Sequence, residues 1–155
     1  YNFDKVAGDL LMTQDRKTYI DIDRANVKSF ALKGPNGGYV FERVPLLDPS
    51  TYFEVLGKGQ RYAAYKAIKT KFVKANGQAN GLTSVGNDYD EYVDQFDYFF
   101  IDLKTKEVRR FELKKKSIRD AVGDARDRAD KYMADHKRDE IDDKFVNGLV
   151  NFLNS

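Results

Sequence analysis

The triplet Glu112-Leu113-Lys114 stands near the end of FDYFFIDLKTKEVRRFELKKKSIRDAVGD, residues 96–124, where an aromatic strand, a charged turn and a second strand lead directly into a helix. Two carboxylates on neighbouring strands can share a Mg²⁺ ion while a lysine beside one of them orients the attacking water, which is the chemistry of metal-dependent phosphodiester hydrolysis. Here the set would be Asp97 or Asp102 with Glu112 and Lys114.

The PD-(D/E)xK nucleases use this arrangement, but the match is thin. Lys, Arg, Asp and Glu make up 34% of the chain, so a Glu-x-Lys triplet arises readily without function. Neither aspartate follows a proline, and a glycine-bearing stretch stands where a helix should precede the Asp strand. The triplet is therefore expected at a solvent-facing strand end. A Mg²⁺-dependent nuclease-like enzyme using Asp102, Glu112 and Lys114 is the alternative.

The second constellation is basic. Lys104, Lys106, Arg109, Arg110, Lys114, Lys115, Lys116 and Arg119 outnumber Glu107 and Glu112, and basic residues interleaved with aromatics are the footprint of a polyanion groove. The following residues 120–143 carry nine acidic against five basic side chains, so a hairpin offset by its neighbouring helices is the plainer expectation. Any ligand of the cluster would be anionic and held mainly by charge. Asn87, Asp88, Asp90, Glu91 and Asp94 form a carboxylate-rich stretch, yet Tyr92 stands where an EF-hand needs its third ligand and no glycine follows it. A solvated loop is expected there. The many tyrosines could form a carbohydrate-stacking face, although packing in the sheet is their commoner use.

Composition narrows the chemistry further. The chain has no Cys and one His, His136, which excludes disulfides, a thiol nucleophile, Cys-ligated zinc and any multi-His metal site within it. No cofactor is expected. Its 27 basic and 25 acidic residues leave a net charge of +2, so bulk charge favours no class of partner, and no apolar run is long enough to span a bilayer. His136 lies among charges near a helix end, where a surface role is expected.

The elements that must position these residues follow from periodicity. With 155 residues, 11 Phe and 10 Tyr, the chain is expected to be one α+β domain over 1–155 with a largely β core. Residues 1–113 should form an antiparallel, meander-like sheet or half-barrel built from hairpins. The hairpins are expected around Asp15-Arg16, around GPNGG between VKSFALK and YVFERV, and around Gly57-Lys58-Gly59-Gln60 after a turn at Asp48-Pro49-Ser50-Thr51. Alternation in 61–72 suggests a sheet buried on one side only. Residues 75–95 read as a mobile loop. Phe96, Tyr98 and Phe100 should share one face of a strand and Phe99, Ile101 and Leu103 the other, which marks a central strand. That strand should turn back through 104–107.

After Leu113 the period becomes 3.6. Ile118, Ala121, Val122, Ala125, Ala129, Tyr132 and Met133 form one stripe, with a capping box at Ser117 and Asp120 and a break at Gly123. Ile141, Phe145, Leu149, Phe152 and Leu153 form a second stripe behind an expected Asp139 cap. Residues 117–155 should thus be helices packed on the sheet.

Taken in order, GDLLMTQDRKTYIDIDRANVKSFAL, FER, YFEVL, the aromatic strand, FELKKKSIRDAVGD and FVNGLVNFLNS resemble an uncharacterised family of exported proteins common in Bacteroidota. The likeness covers nearly the whole chain apart from 75–95. The sequence departs from it at Asn151-Phe152-Leu153-Asn154, where paired tyrosines are usual. The resemblance implies a secretion signal and a further strand upstream of Tyr1, and a periplasmic or outer-membrane-associated location. It implies no reaction. The function expected on this basis is an exported, non-enzymatic binding or scaffold protein. Its partner would be an anionic envelope component, such as lipid phosphate or acidic polysaccharide, or another envelope protein, rather than nucleic acid.

Overall fold

The computed structural model describes residues 2–4, 9–12, 17, 20–21, 26–34, 37–75, 78–79, 84–85 and 89–155. Strands β1 (Asn2–Asp4), β2 (Asp9–Met12) and β3 (Ile20–Asp21) make a small antiparallel sheet. The turn expected at Asp15-Arg16 lies outside the described residues. The main sheet contains β4 (Ser29–Gly34), β5 (Gly37–Val44), β6 (Asp48–Lys58), β7 (Tyr62–Val73), β10 (Glu91–Asp102) and β11 (Glu107–Phe111). Its spatial order is β11-β10-β7-β6-β5-β4 with every pair antiparallel, a six-stranded meander. A small hairpin of β8 (Gln78–Ala79) and β9 (Ser84–Val85) lies in the β7–β10 connection. Helices α1 (Lys115–Ala121), α2 (Arg126–Asp135) and α3 (Asp143–Asn154) follow, so the fold is α+β as the sequence indicates.

The helices cover one face of the sheet. Leu56, Tyr62, Ala64, Tyr98, Phe100 and Phe111 of the strands pack against Ile118, Ala129, Tyr132, Phe145, Val146, Leu149 and Val150. Two small residues set how closely α3 approaches. A methyl on Gly57 would lie 2.9 Å from Val150 Cβ, and one on Gly148 would lie 2.2 Å from the Tyr132 hydroxyl. Polar bonds fix both ends of the helix. The Asn147 side-chain amide donates to the Leu56 carbonyl at the β6 bulge. Asn154 Oδ1 accepts from the amides of Arg61 and Tyr62, each at 3.0 Å, and so clamps the β6–β7 turn.

Several local expectations change. The opposite face is not an open polar surface, because Val44, Phe53, Ala63, Tyr65, Ala67 and Ile101 form a second buried cluster on it. The strongly twisted run of small and aromatic side chains buries both sides of β7. Asp48 opens β6 instead of a turn, its carboxylate accepting from Ser50 and Thr51. Residues 91–95 are strand, because β10 starts at Glu91 and pairs with β7 along its whole length. The α1 N-cap is Lys114 without a side-chain bond, and Ser117 Oγ instead accepts from the Glu112 amide at 2.9 Å. The α3 cap is Asp142, not Asp139, and accepts from the Phe145 amide at 2.9 Å. The break at Gly123 stands, with φ +57 and a turn of 3-10 helix leading into α2.

Candidate functional site

Register places one row of side chains across all six strands. Phe30 faces Phe41, Phe41 faces Glu54, Glu54 faces Lys66, Lys66 faces Tyr98 and Tyr98 faces Phe111. Directly opposed residues in antiparallel strands share a face, and Tyr98 and Phe111 put this row on the helix side. A glutamate and a lysine thus stand at the middle of an otherwise aromatic row, where Glu54 and Lys66 are 6% and 8% exposed.

Charges buried this deeply must be paired. Lys66 Nζ lies 2.9 Å from Glu54 Oε2 and 2.5 Å from Asp143 Oδ2, the latter at the first turn of α3. Burial acts to lower the Lys66 pKa, but the hydrogen bonds from Asp143 and Glu54 outweigh it and hold the ammonium protonated. The same ammonium lies 5.1 Å from the centre of the Phe96 ring. Burial, followed by the negative charge of Asp143, pushes the Tyr98 hydroxyl up to about 12. Asp143 Oδ1 is buried without a hydrogen-bond partner.

This cluster forms one wall of a cleft. A depression of about 560 Å³ is lined by Tyr39, Glu54, Tyr98, Leu113, Asp143 and Asn147, among others. An adjoining one of about 770 Å³ is lined by Phe96, Tyr98, Arg110, Phe111, Leu113 and Ser117. Tyr98 and Leu113 are common to both and form the floor between them. Beyond Lys66 and Tyr98 the strands β7 and β10 pair only with each other, forming a ribbon on which Phe72 and Tyr92 stand 5.2 Å apart. Phe72, Tyr92 and Phe96 are 48%, 67% and 46% exposed. An aromatic stripe therefore runs from the ribbon to the cleft.

The candidates drawn from sequence lie elsewhere. Asp102 pairs with Glu107, whereas Glu112 lies five residues further along the neighbouring strand, a separation of roughly 16 Å at the usual strand rise. Asp102 holds the β10–β11 turn through the amides of Lys104 and Thr105 and also accepts from Arg61. Those bonds outweigh burial and keep its pKa low. Glu112 and Lys114 form an exposed ion pair at 2.5 Å, which lowers the pKa of the acid and raises that of the base. Asp97 accepts from Arg110 and lies 3.4 Å from Lys69.

The basic residues are likewise divided. Arg109 bonds to Glu107 and to the Asp120 carbonyl, Arg119 pairs with Asp130 at 2.9 Å, and Arg110 and Lys114 are engaged as above. Lys104 and Lys106 lie exposed in the turn, and Lys115 and Lys116 lie exposed at the start of α1, at the far end of β11. Of the acidic stretch, Asn87 and Asp88 lie outside the described residues. Asp90 accepts from the Ala75 amide and Asp94 from the Thr70 hydroxyl. Among the described residues no group of three or more His, Cys, Asp or Glu side chains could hold a metal ion. His136 stacks on Tyr132 with ring centres 3.9 Å apart.

Sequence reasoning treated Lys66 as an intrusion on an apolar face and did not single out Glu54 or Asp143. The available signal was a single charge flanked by aromatic or small apolar residues within each strand, in YFEVL and YKAI. No protein-family model, curated protein or solved structure matches this chain. No helix among the described residues is long and apolar enough to cross a membrane.

Proposed function

We propose that this chain is a non-enzymatic binding module of an exported protein, and that its ligand occupies the cleft floored by Tyr98 and Leu113. The export reading rests on the resemblance to the Bacteroidota family. The observation that carries the binding reading is the fixed charge cluster in the cleft wall. Lys66 stays protonated and Tyr98 stays neutral through the physiological range, so these groups present constant donors and acceptors and do not exchange protons. Ligand pockets characteristically combine an apolar lining with a few such placed polar groups.

The test is amide NMR on labelled protein, titrated with a panel of soluble glycans, amino acids and nucleotides. A ligand of this site should move the resonances of Tyr98, Leu113 and Asn147 first. Shifts confined to 103–106 on adding heparin would move binding to the basic turn. Cleavage of DNA or RNA in Mg²⁺ that is lost in Glu112→Ala would make the chain an enzyme and overturn the proposal.

A further inference from the structure

Resting on the cleft reading above, we infer that the ligand is a neutral saccharide, held by hydroxyl donation to the Asp143 carboxylate and by contact of a sugar ring with Phe96. The inference starts from what the cleft lacks. A buried carboxylate oxygen without a partner is rare in folded proteins, and Asp143 Oδ1 is such an atom in a residue that lines the cleft. It needs a donor. An apolar ligand brings none and would deepen its isolation.

Charge selects among the ligands that do bring one. An anion would meet Glu54, Asp142 and Asp143 in the same wall. A cation would compete with Lys66, which already bridges Glu54 and Asp143 and sits against Phe96. The local charge is closed on itself, and what it leaves open is hydrogen bonding. A polyol supplies neutral O–H donors for carboxylates and accepts from the Tyr98 hydroxyl, so it suits a wall whose net charge is already balanced.

The second half of the site is aromatic. Phe96 lines the adjoining depression and remains 46% exposed, an unusual state for a phenylalanine so near a core. The C–H face of a pyranose matches a ring of this kind, with dispersion and the electron-rich aromatic face both favourable. Tyr92 and Phe72 continue the stripe along the ribbon, so a chain of several sugar units would find further rings beyond the first.

The experiment titrates the intact chain with cellotetraose, maltotetraose, chitotetraose and mannotetraose, reading saturation transfer and amide shifts. Tetragalacturonate and spermine serve as charged comparisons. At least one neutral tetrasaccharide should bind, with an affinity that added salt leaves unchanged, and should shift Tyr98, Leu113 and Asn147. Phe96→Ala should weaken it about tenfold, the scale of one lost aromatic contact. Asp143→Asn should weaken it too, and if that variant fails to fold, the exposed Phe96 position still decides. No shift at the cleft with any of the four neutral sugars overturns the saccharide assignment. If spermine, tetragalacturonate or a member of the wider panel moves those amides instead, the cleft remains a binding site for another class of ligand. If nothing in the panel does, the cleft reading falls as well.

Discussion

Replacing Lys66 by Met tests the charge cluster directly, because Met keeps most of the stem and removes the ammonium. Two carboxylates then lose their partner, but they do not lose it equally. Asp143 has a side chain 37% exposed and can rehydrate, so it adds little. Glu54 is 6% exposed and cannot. Stranding one buried carboxylate costs roughly 3–5 kcal/mol. The contact with Phe96 adds at most about 1 kcal/mol. Against a total stability of about 5–15 kcal/mol the variant should still fold, with Tm lowered by about 10–15 °C for a chain of this size.

The double variant Lys66→Met/Glu54→Leu removes the stranded charge and should return to within about 1 kcal/mol of the parent. Urea unfolding followed by far-UV circular dichroism and tyrosine emission measures all three proteins, and an unchanged m-value shows that the same surface is exposed in each. A single-variant cost below about 1 kcal/mol would mean that Glu54 reaches water, contrary to its burial. A double variant as unstable as the single one would place the loss in packing and refute the electrostatic account.

Phe145, 4% exposed and edge-on to Tyr132 at 5.3 Å, should cost roughly 3–5 kcal/mol as Phe145→Ala, and a urea shift below about 1 kcal/mol would make α3 peripheral. Gly123→Ala forces a methyl to within 2.7 Å of the Arg109 guanidinium at φ +57, so it should lower stability by about 1–2 kcal/mol, and an unchanged melting curve would refute this. Arg110→Gln removes a donor from Asp97, whose side chain is 8% exposed, and should cost about 1–2 kcal/mol with Lys69 left to compensate; Lys115→Gln should stay within about 0.5 kcal/mol. For alkaline conditions, the raised Lys66 and Tyr98 values mean that the folded state holds protons the unfolded chain has released. That stabilisation is complete below about pH 10 and is lost as pH rises towards 12, so urea midpoints should agree at pH 7 and 9 and fall at pH 11.

The elements themselves were legible where local chemistry decides them. The hairpin from VKSFALK to YVFERV follows from its glycine-rich turn, and β4 and β5 pair across it with no irregularity from Ser29 to Gly34. The helices follow from their apolar period, and all five residues of the final stripe lie in or against the core. Caps were misassigned because several Ser and Asp residues near each helix start have the right chemistry. The choice among them depends on where the preceding strand delivers the chain. Ser117 is taken by the Glu112 amide, so it does not cap α1. The second buried face escaped notice for a related reason. Ala63 and Ala67 look neutral in an alternating pattern, and only contact with Ile101 and Phe53 makes them core.

The site depends on register, and register is what periodicity fixes least. A turn centred on 57–60 would set Glu54 opposite Ala63, an apolar neighbour that gives the glutamate no partner. The actual turn spans 59–61, and an irregularity between Val55 and Gly57 shifts the pairing once more, so that Glu54 meets Lys66. An odd offset also decides which face each side chain takes, since the pleat has period two. The β7–β10 pairing has no such shift over twelve residue pairs, and it carries Lys66 on to Tyr98 and sets Phe96 beside the cleft. The last contributor, Asp143, comes from a helix almost eighty residues beyond Lys66 and reaches it only because Gly57 lets α3 sit close against β6. Each strand shows one unexplained charge, but what makes those charges a site is one bulge, one glycine contact and one helix start acting together.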